Sequence, residues 1–238
     1  MLYTTGATTV YATCVALSLL SAALTLTVRY RHVPAQGAAT LASVLAGVSY
    51  VWHHKVLLGA MSLDLFAVLL GGATALLPIY ARDILHTGPQ GLGLLRAAPA
   101  MGALLMTLLL VRFPLQRHVG YKLLGAVAVF GLATLVFGLS SHFGLSMLAV
   151  TGAADSISVV TRLTLMQLET PDAMRGRVSA VNSIFIGASN QLGEFESGAT
   201  AALLGPVGSV VLGGLGTVLI AASWLRLFPA LARRDRLS

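Results

Sequence analysis

The sequence predicts an all-α membrane protein with about seven transmembrane helices. Of its 238 residues, 56% are hydrophobic and only 10% are charged, and the mean hydropathy is +0.85; soluble domains do not have this composition. Seven spans of about 20 residues each would use roughly 140 residues and leave only short connections. A large extramembrane domain is therefore excluded.

Seven apolar runs of spanning length follow one another along the chain. They cover approximately 8–28, 57–78, 91–111, 123–140, 144–166, 178–204 and 207–225. The first run is interpreted as a true span and not a secretory signal, because no basic residue precedes it and Arg29 and Arg31 follow it. The segment 38–55 is too short and too mixed to span, which predicts an amphipathic helix on the cytoplasmic face, with a soluble connector as the alternative.

The basic residues give these spans a direction. If the runs alternate in sense, twelve of the 15 Lys and Arg residues fall on one side, Arg82 alone falls on the other, and Arg96 and Arg162 lie within spans. The positive-inside rule then places the first residue outside and the carboxyl terminus in the cytoplasm. The net charge of +7 serves orientation and contact with anionic lipid, so no nucleic-acid partner is expected.

Ionisable residues within the spans recur with a period of three helices. The first, fourth and seventh spans carry none, whereas the others carry, in order, Asp64, Arg96, Asp155, Arg162, Glu194 and Glu196. Such residues are costly in a bilayer and face a bundle interior or an aqueous cavity. The period predicts two three-span units of opposite direction, a 3+3 inverted repeat whose third members face lipid. Chance repetition is the alternative.

Two spans carry a polar stripe at helical spacing. The stripes comprise Thr151, Asp155, Ser158 and Arg162 in the fifth span, and Ser183, Gly187, Asn190, Glu194 and Ser197 in the sixth. Glu196 lies about 200° round the helix from Glu194. We expect a substrate or proton pathway formed by Asp64, Arg96, Asp155, Ser158, Arg162, Asn190, Glu194 and Glu196, in which Arg162 pairs with Asp64. An interhelical hydrogen-bond seam is the alternative.

A basic turn at a predicted cytoplasmic helix start is a second candidate site. Asp172 is expected to cap this helix, and Arg175 and Arg177 to form a latch that closes an inner gate. Topology anchoring alone is the alternative for these arginines. The Gly-rich segments 88–93 and 213–216 are interpreted as close helix packing and not as phosphate-binding loops.

Catalytic and metal-binding patterns are not visible in the sequence. The only cysteine, Cys14, lies within an apolar run, and the six histidines do not form a ligand pair within a span. We therefore expect no cofactor, no metal and no enzymatic activity. A membrane-embedded enzyme remains an alternative that an activity dependent on Asp155 or Glu194 would support.

Three motifs resemble the carboxyl-terminal half of major facilitator superfamily transporters. They are Leu-Gly-Gly-Ala-Thr-Ala-Leu-Leu-Pro-Ile-Tyr-Ala-Arg-Asp at 70–83, Gly-Leu-Gly-Leu-Leu-Arg-Ala-Ala-Pro at 91–99 and Thr-Pro-Asp-Ala-Met-Arg-Gly-Arg-Val at 170–178. The resemblance is nearest to the enterobactin-exporter-like and drug-exporter-like bacterial branch. The family's acidic loop signature is missing at 116–122, and the antiporter signature of its fifth helix is not present, so a direction of export rests on the branch resemblance.

The resemblance implies that the chain corresponds to spans 6–12 of a twelve-span fold. Residues 1–33 would be the last helix of the amino-terminal half, 34–56 the central cytoplasmic loop, 57–228 the six-helix bundle and 229–238 a cytoplasmic tail. The implied function is proton-coupled efflux of a small drug- or siderophore-like molecule across the bacterial inner membrane. The implied partners are lipid, substrate, protons and a missing amino-terminal half. A non-transporting truncated scaffold or relic is the alternative.

Overall fold

The computed structural model describes residues 7–27, 41–113, 115, 117–142 and 149–235, with only the backbone given for residues 149 and 150. This described part of the chain contains helices and turns and no strand. It divides into two compact units, residues 1–40 and 41–238. The first unit contains α1 (Ala7–Thr27), an apolar helix long enough to cross a membrane, in agreement with the predicted first span.

The second unit contains the remaining helices. They are α2 (Leu41–His53), α3 (Lys55–Gly71), a 3-10 turn (Ala73–Leu76), α4 (Leu77–Ile79), a π turn (Tyr80–Ile84), α5 (Pro89–Arg112), α6 (Val119–Leu139), α7 (Ala149–Glu169), α8 (Asp172–Leu227) and α9 (Pro229–Ala232). Across the described residues, five helical stretches are long and apolar enough to cross a membrane. The charged α7 is not among them, and α8 is counted once.

The chain reverses its direction within α8. Gly205 has a φ of 76° and a ψ of 164°, which is not helical backbone. On either side of it, Gly193 packs on the carbonyl of Leu69 and Gly213 packs on the carbonyl of Leu70, both in α3. In a straight helix Gly193 and Gly213 would be about 30 Å apart. The two halves of α8 therefore run back along the same helix.

We call the halves of α8 the first arm (172–204) and the second arm (206–227). They agree with the predicted spans 178–204 and 207–225. Pro206 begins the second arm, where a proline costs no helical hydrogen bond. If α8 is counted as two arms and α7 is added, the five apolar helical stretches become seven. The predicted count of about seven spans stays a prediction.

Small residues set the closest helix contacts. A methyl group at Gly152 of α7 would overlap the carbonyl of Pro99 in α5, and one at Gly213 would overlap that of Leu70. The contact of Gly213 confirms the expected close packing of segment 213–216, because small side chains let helix backbones approach. The same expectation for 88–93 is wrong at Gly88 and Gly93, which have open space around them.

One side of α6, the predicted fourth span, packs on the bundle, and another side is exposed. Gly131 packs against the carbonyl of Gly214 in the second arm of α8. The exposed apolar residues of α6 include Val129, Leu132 and Val136. The expectation that this span faces lipid and the 3+3 repeat stay predictions.

Polar contacts join four segments at one end of the bundle. Glu169, the last residue of α7, binds the guanidinium of Arg234, and its other carboxylate oxygen lies 3.4 Å from Nε2 of His54. The carbonyl of Arg234 accepts the backbone N–H of Gly120 at 3.0 Å, and Tyr50 donates its hydroxyl to the Glu169 carbonyl at 2.8 Å. All four segments were predicted to lie on one side of the membrane, as alternating spans require.

The helix α2 lies within the segment 38–55, where a helix was predicted, and its position on the cytoplasmic face stays a prediction. Its residues Gly47 and Val51 are buried, and a methyl group at Gly47 would lie 2.9 Å from the carbonyl oxygen of Arg177 in the first arm of α8. Leu45 and Trp52 are exposed on the other side. The helix thus docks on the bundle with one face and leaves an apolar face uncovered within the second unit.

Candidate functional site

A break in α3 opens space inside the bundle. The helix ends at Gly71, and Gly72 has a φ of −72° and a ψ of 56°, after which the chain continues as a 3-10 turn. The carbonyl of Gly72 has left the helical ladder and accepts the hydroxyl of Ser197 at 3.1 Å. Irregular backbone at membrane depth is tolerated where it is buried in protein or lines a cavity. Here it does both.

A cavity of about 210 Å³ lies beside this break. It is bounded by α3, α5, α6, α7 and the first arm of α8. Its lining residues are Val68, Gly71, Gly72, Ala73, Thr74, Pro99, Phe130, Thr134, Thr151, Gly152, Asp155, Asn190 and Glu194. The apolar side chains form most of the wall, and the polar groups converge from α7 and α8, as is typical of small-molecule sites.

The cavity brings the two predicted polar stripes together. Asp155 of α7 is half-buried, whereas Asn190 and Glu194 of α8 are exposed at the rim. Thr151, one turn before Asp155, is buried in the same wall. Two residues of each stripe therefore face one shared space, and the pathway that they were expected to form stays a prediction.

A buried ion pair lies behind this cavity. Nη2 of Arg162 is 3.1 Å from Oδ2 of Asp64, and the two residues are only 2% and 7% exposed. The structure thus has the pair that the sequence predicted from their similar depth in α7 and α3. Asp155 lies within electrostatic range of both members. Because buried ions need partners, this pair ties α7 firmly to α3.

Sequence reasoning missed the third member of this group, Asn182. Its side chain is 5% exposed, and its Oδ1 accepts a hydrogen bond from Nη1 of Arg162 at 2.5 Å. The predicted stripe of the first arm began one residue later, at Ser183. Because one residue corresponds to about 100° around a helix, the predicted stripe is displaced by about that angle from the face that is buried. An amide within an apolar run was the available signal, since such groups are used as interhelical hydrogen-bond partners.

Five of the eight predicted pathway residues lie outside the cavity lining, namely the ion pair of Asp64 and Arg162 and the three residues that follow here. Arg96 of α5 is exposed, and Glu196 of α8 is partly exposed on another side of its helix from Glu194. Ser158 is buried in α7, between Asp155 and Arg162 along the chain. The structure therefore groups Asp155, Asn190 and Glu194 at the cavity and leaves Arg96 and Glu196 apart from it.

The predicted gate residues lie at the start of α8. The expectation that Asp172 caps this helix is wrong, because the residue at the cap position is Pro171 and there is no side-chain cap bond. The fixed φ of proline starts the helix one residue earlier. Asp172 instead pairs with Arg175 at 2.8 Å, both exposed, while Nη1 of Arg177 donates to the sulfur of Met174 at 3.5 Å. A gate role for these residues stays a proposal.

Metal chemistry has no candidate in the described ranges, where no cluster of three His, Cys, Asp or Glu side chains could hold an ion. Besides the hydroxyl groups of three threonines, the polar side chains of the cavity are one carboxyl from α7 and a carboxyl and an amide from α8. Carboxyl groups in an apolar wall can take up and release protons and can bind cationic or hydrogen-bonding groups.

Fold and site together define a multi-pass helical membrane protein with a polar internal cavity. Its sequence is 27% identical over 195 residues to Enterobactin exporter EntS of Citrobacter koseri, a match that covers 81% of this chain and 47% of that protein. It is 28% identical over 197 residues to Enterobactin exporter EntS of Shigella flexneri, covering 81% and 46%. For the protein of the same name in Escherichia coli O157:H7 the identity is 26% over 195 residues, with coverage of 81% and 47%.

No protein-family model and no solved structure matches the chain. The chain spans about half the length of the curated relatives it matches. These low-identity similarities are to exporters of a small molecule, as the names of the relatives state. The relatives are exporters and not enzymes, in agreement with the expectation for this chain.

Proposed function

We propose that this chain forms the carboxyl-terminal half of a proton-coupled exporter of the major facilitator type, with a siderophore-like small molecule as cargo. In this proposal the protein lies in the bacterial inner membrane with its carboxyl terminus in the cytoplasm. Asp155, Asn190 and Glu194 form part of the cargo and proton pathway. Support comes from the resemblance to enterobactin exporters and from a carboxyl-bearing cavity inside an apolar bundle.

The observation that carries the proposal is the convergence of Asp155 and Glu194 on one cavity beside the broken α3. Interrupted helices around a polar site near the bilayer midplane are characteristic of secondary transporters. Cargo and protons that compete for the same carboxyl groups exchange with each other, because protonation removes the charge that a cationic or polar cargo binds.

The size of the cavity limits what this chain holds by itself. A volume of about 210 Å³ is below the roughly 300–1,000 Å³ of pockets for drug-sized ligands. The cavity has room for several water molecules or for one functional group of a larger cargo. The remaining wall of the cargo site would come from a second half that faces Asn190 and Glu194.

Export is tested in cells that lack an enterobactin exporter of their own. The chain is produced together with the amino-terminal half of the Shigella flexneri exporter, and secreted enterobactin is measured by mass spectrometry. We expect secretion, and we expect Glu194→Gln to remove it. Glu196→Gln is the matched control, because Glu196 is two residues away and does not line the cavity. Equal secretion by both variants would refute the assignment of Glu194.

The access of water to the cavity is tested in membranes that contain the chain alone. In a Cys14→Ser background, Asn190→Cys should react with a water-soluble maleimide, whereas Leu192→Cys, on the other side of the helix, should not. If Asn190→Cys is also unreactive, the stripes form a dry packing seam and the alternative of a non-transporting scaffold is favoured.

A further inference from the structure

Arg162 is held by two acceptors that differ in charge. Nη2 lies 3.1 Å from the Asp64 carboxylate, and Nη1 donates to the neutral amide oxygen of Asn182 at 2.5 Å. The third nitrogen, Nε, is buried without a hydrogen-bond partner. The guanidinium plane is rigid, so two bonded nitrogens fix its orientation. Asn182 therefore turns the cation toward α3.

The charges around Arg162 do not balance. Asp64 of α3 contacts it at 3.1 Å, and Asp155 lies on the same face of α7, seven residues earlier and about 10 Å away along the helix axis. Two ionised carboxylates near one guanidinium would leave an uncompensated negative charge in an apolar surrounding, which is unfavourable. The charge is removed if one of the two carboxyl groups carries a proton.

The other walls of the cavity supply no further cation. Pro99 faces it from α5, and Phe130 and Thr134 face it from α6. Glu194, from the first arm of α8, adds a second acidic group and not a positive one. The contact of the Arg162 guanidinium therefore determines which carboxyl group is protonated: the carboxylate in contact with it stays ionised, and the other carries the proton.

We propose that Asn182 is a positioning residue that locks Arg162 onto Asp64 and so assigns the exchangeable proton to Asp155. This inference rests on the proposed proton coupling and names the residue that selects the exchanging group. Arg162 and Asp64 keep their charges throughout. A proton leaves the Asp155 carboxyl for cavity water and returns to the same oxygen pair, so no other bond forms or breaks.

The proposal is tested with dicyclohexylcarbodiimide, an apolar reagent that modifies protonated carboxyl groups within membranes. The purified chain in lipid vesicles is treated over a series of pH values, and mass spectrometry measures the adducts on Asp64 and Asp155. The wild-type chain should be modified on Asp155, progressively less as the pH rises, and not on Asp64.

Asn182→Leu keeps the volume of the side chain and removes the acceptor. We expect modification of Asp64 to rise by about tenfold or more, which is the equilibrium effect of losing one hydrogen bond to a charged group. Asn182→Ser retains a hydroxyl acceptor and should give a smaller rise, so it also serves if the leucine variant does not fold. Ser189→Ala is the matched control, since Ser189 is buried on the same helix and donates only to the Ile186 carbonyl.

Equal modification of Asp64 and Asp155 in the wild-type chain would overturn the proposal. So would an unchanged pattern in both Asn182 variants. The adducts report protonation and not export, so a chain that fails the secretion test can still show the Asp155 pattern. Failure of this inference is therefore distinguishable from failure of the proposed function.

Discussion

At the scale of single residues, the buried ion pair decides how α3 and α7 meet. Arg162 is 2% exposed and Asp64 7% exposed, so each needs the other to compensate its lost hydration. A buried pair of this kind adds little net stability compared with two apolar residues of similar volume. Its effect is on specificity, because any other register of the two helices leaves one charge unpaired.

Removal of one partner is expected to be costly. Asp64→Asn leaves the Arg162 guanidinium buried without a carboxylate in contact, and the free energy of unfolding should fall by about 3–5 kcal/mol. The yield of monodisperse protein and its thermal unfolding temperature in detergent measure this. Asp155→Asn, at the half-buried cavity wall, should change both quantities little. Equal effects of the two variants would contradict the structural role of the pair.

A double replacement separates charge from packing at this site. Asp64→Leu combined with Arg162→Met removes both charges and should recover most of the stability that Asp64→Asn loses. The sequence predicted the pair because Asp64 and Arg162 have similar depths in their spans. It did not predict Asn182. Whether Asn182 faces Arg162 depends on the rotation of a third helix about its axis. The predicted stripe began one residue later, at Ser183, and one residue corresponds to about 100° of rotation.

At the scale of elements, close backbone contacts join the helices in pairs. Gly152 places α7 directly on the Pro99 carbonyl of α5, and Gly213 places the second arm of α8 on the Leu70 carbonyl of α3. Further bonds support the second pair, since Trp224 donates its indole N–H to the Gly59 carbonyl at 3.0 Å. The cavity lies between these pairs.

The glycine contacts predict opposite effects for two Gly-to-Ala changes. Gly152→Ala would force the α5 backbone away and should lower the free energy of unfolding by about 1–3 kcal/mol. Gly125→Ala, on α6 with open space around it, should raise it by about 0.5–1 kcal/mol through helix propensity. Denaturation of the purified variants in detergent measures both changes. A loss of stability in Gly125→Ala as large as in Gly152→Ala would contradict this account.

The element boundaries show what hydropathy can and cannot predict. The segments 178–204 and 207–225 were separated correctly, because Gly205 and Pro206 mark a turn in an otherwise apolar stretch. The break at Gly72 was not predicted, and the second span was taken as one run, 57–78. Hydropathy describes how well a side chain partitions into lipid and contains no information on backbone conformation. Gly72 therefore has the same hydropathy in a helix and at a helix break.

At the scale of the whole second unit, the contacts agree with alternating spans. Tyr80, beyond the break in α3, donates its hydroxyl to the Gly138 carbonyl near the end of α6 at 3.1 Å. The start of α6 instead contacts Arg234 and Asp235, at the end where α7 finishes. The two termini of α6 therefore lie in different groups, as a helix that crosses the membrane requires.

Reporter fusions test which group faces the cytoplasm. The skew of twelve basic residues to one predicts that a reporter after Ser238 is cytoplasmic and that one inserted near Thr87 is external. Alkaline phosphatase and green fluorescent protein fusions at both sites give opposite signals for the two compartments. The same compartment for both sites would refute the alternation on which the seven-span prediction depends.

The bonds between the tail and α6 also set an order of events during synthesis. The cap residue His118 has left-handed backbone and offers no side-chain cap bond, and its N–H donates to the carboxylate of Asp235, 117 residues later in the chain. The groups that complete the first turn of α6 are therefore synthesised after every other helix of the bundle. Until then, the exposed N–H groups of that turn have only water or lipid headgroups as partners.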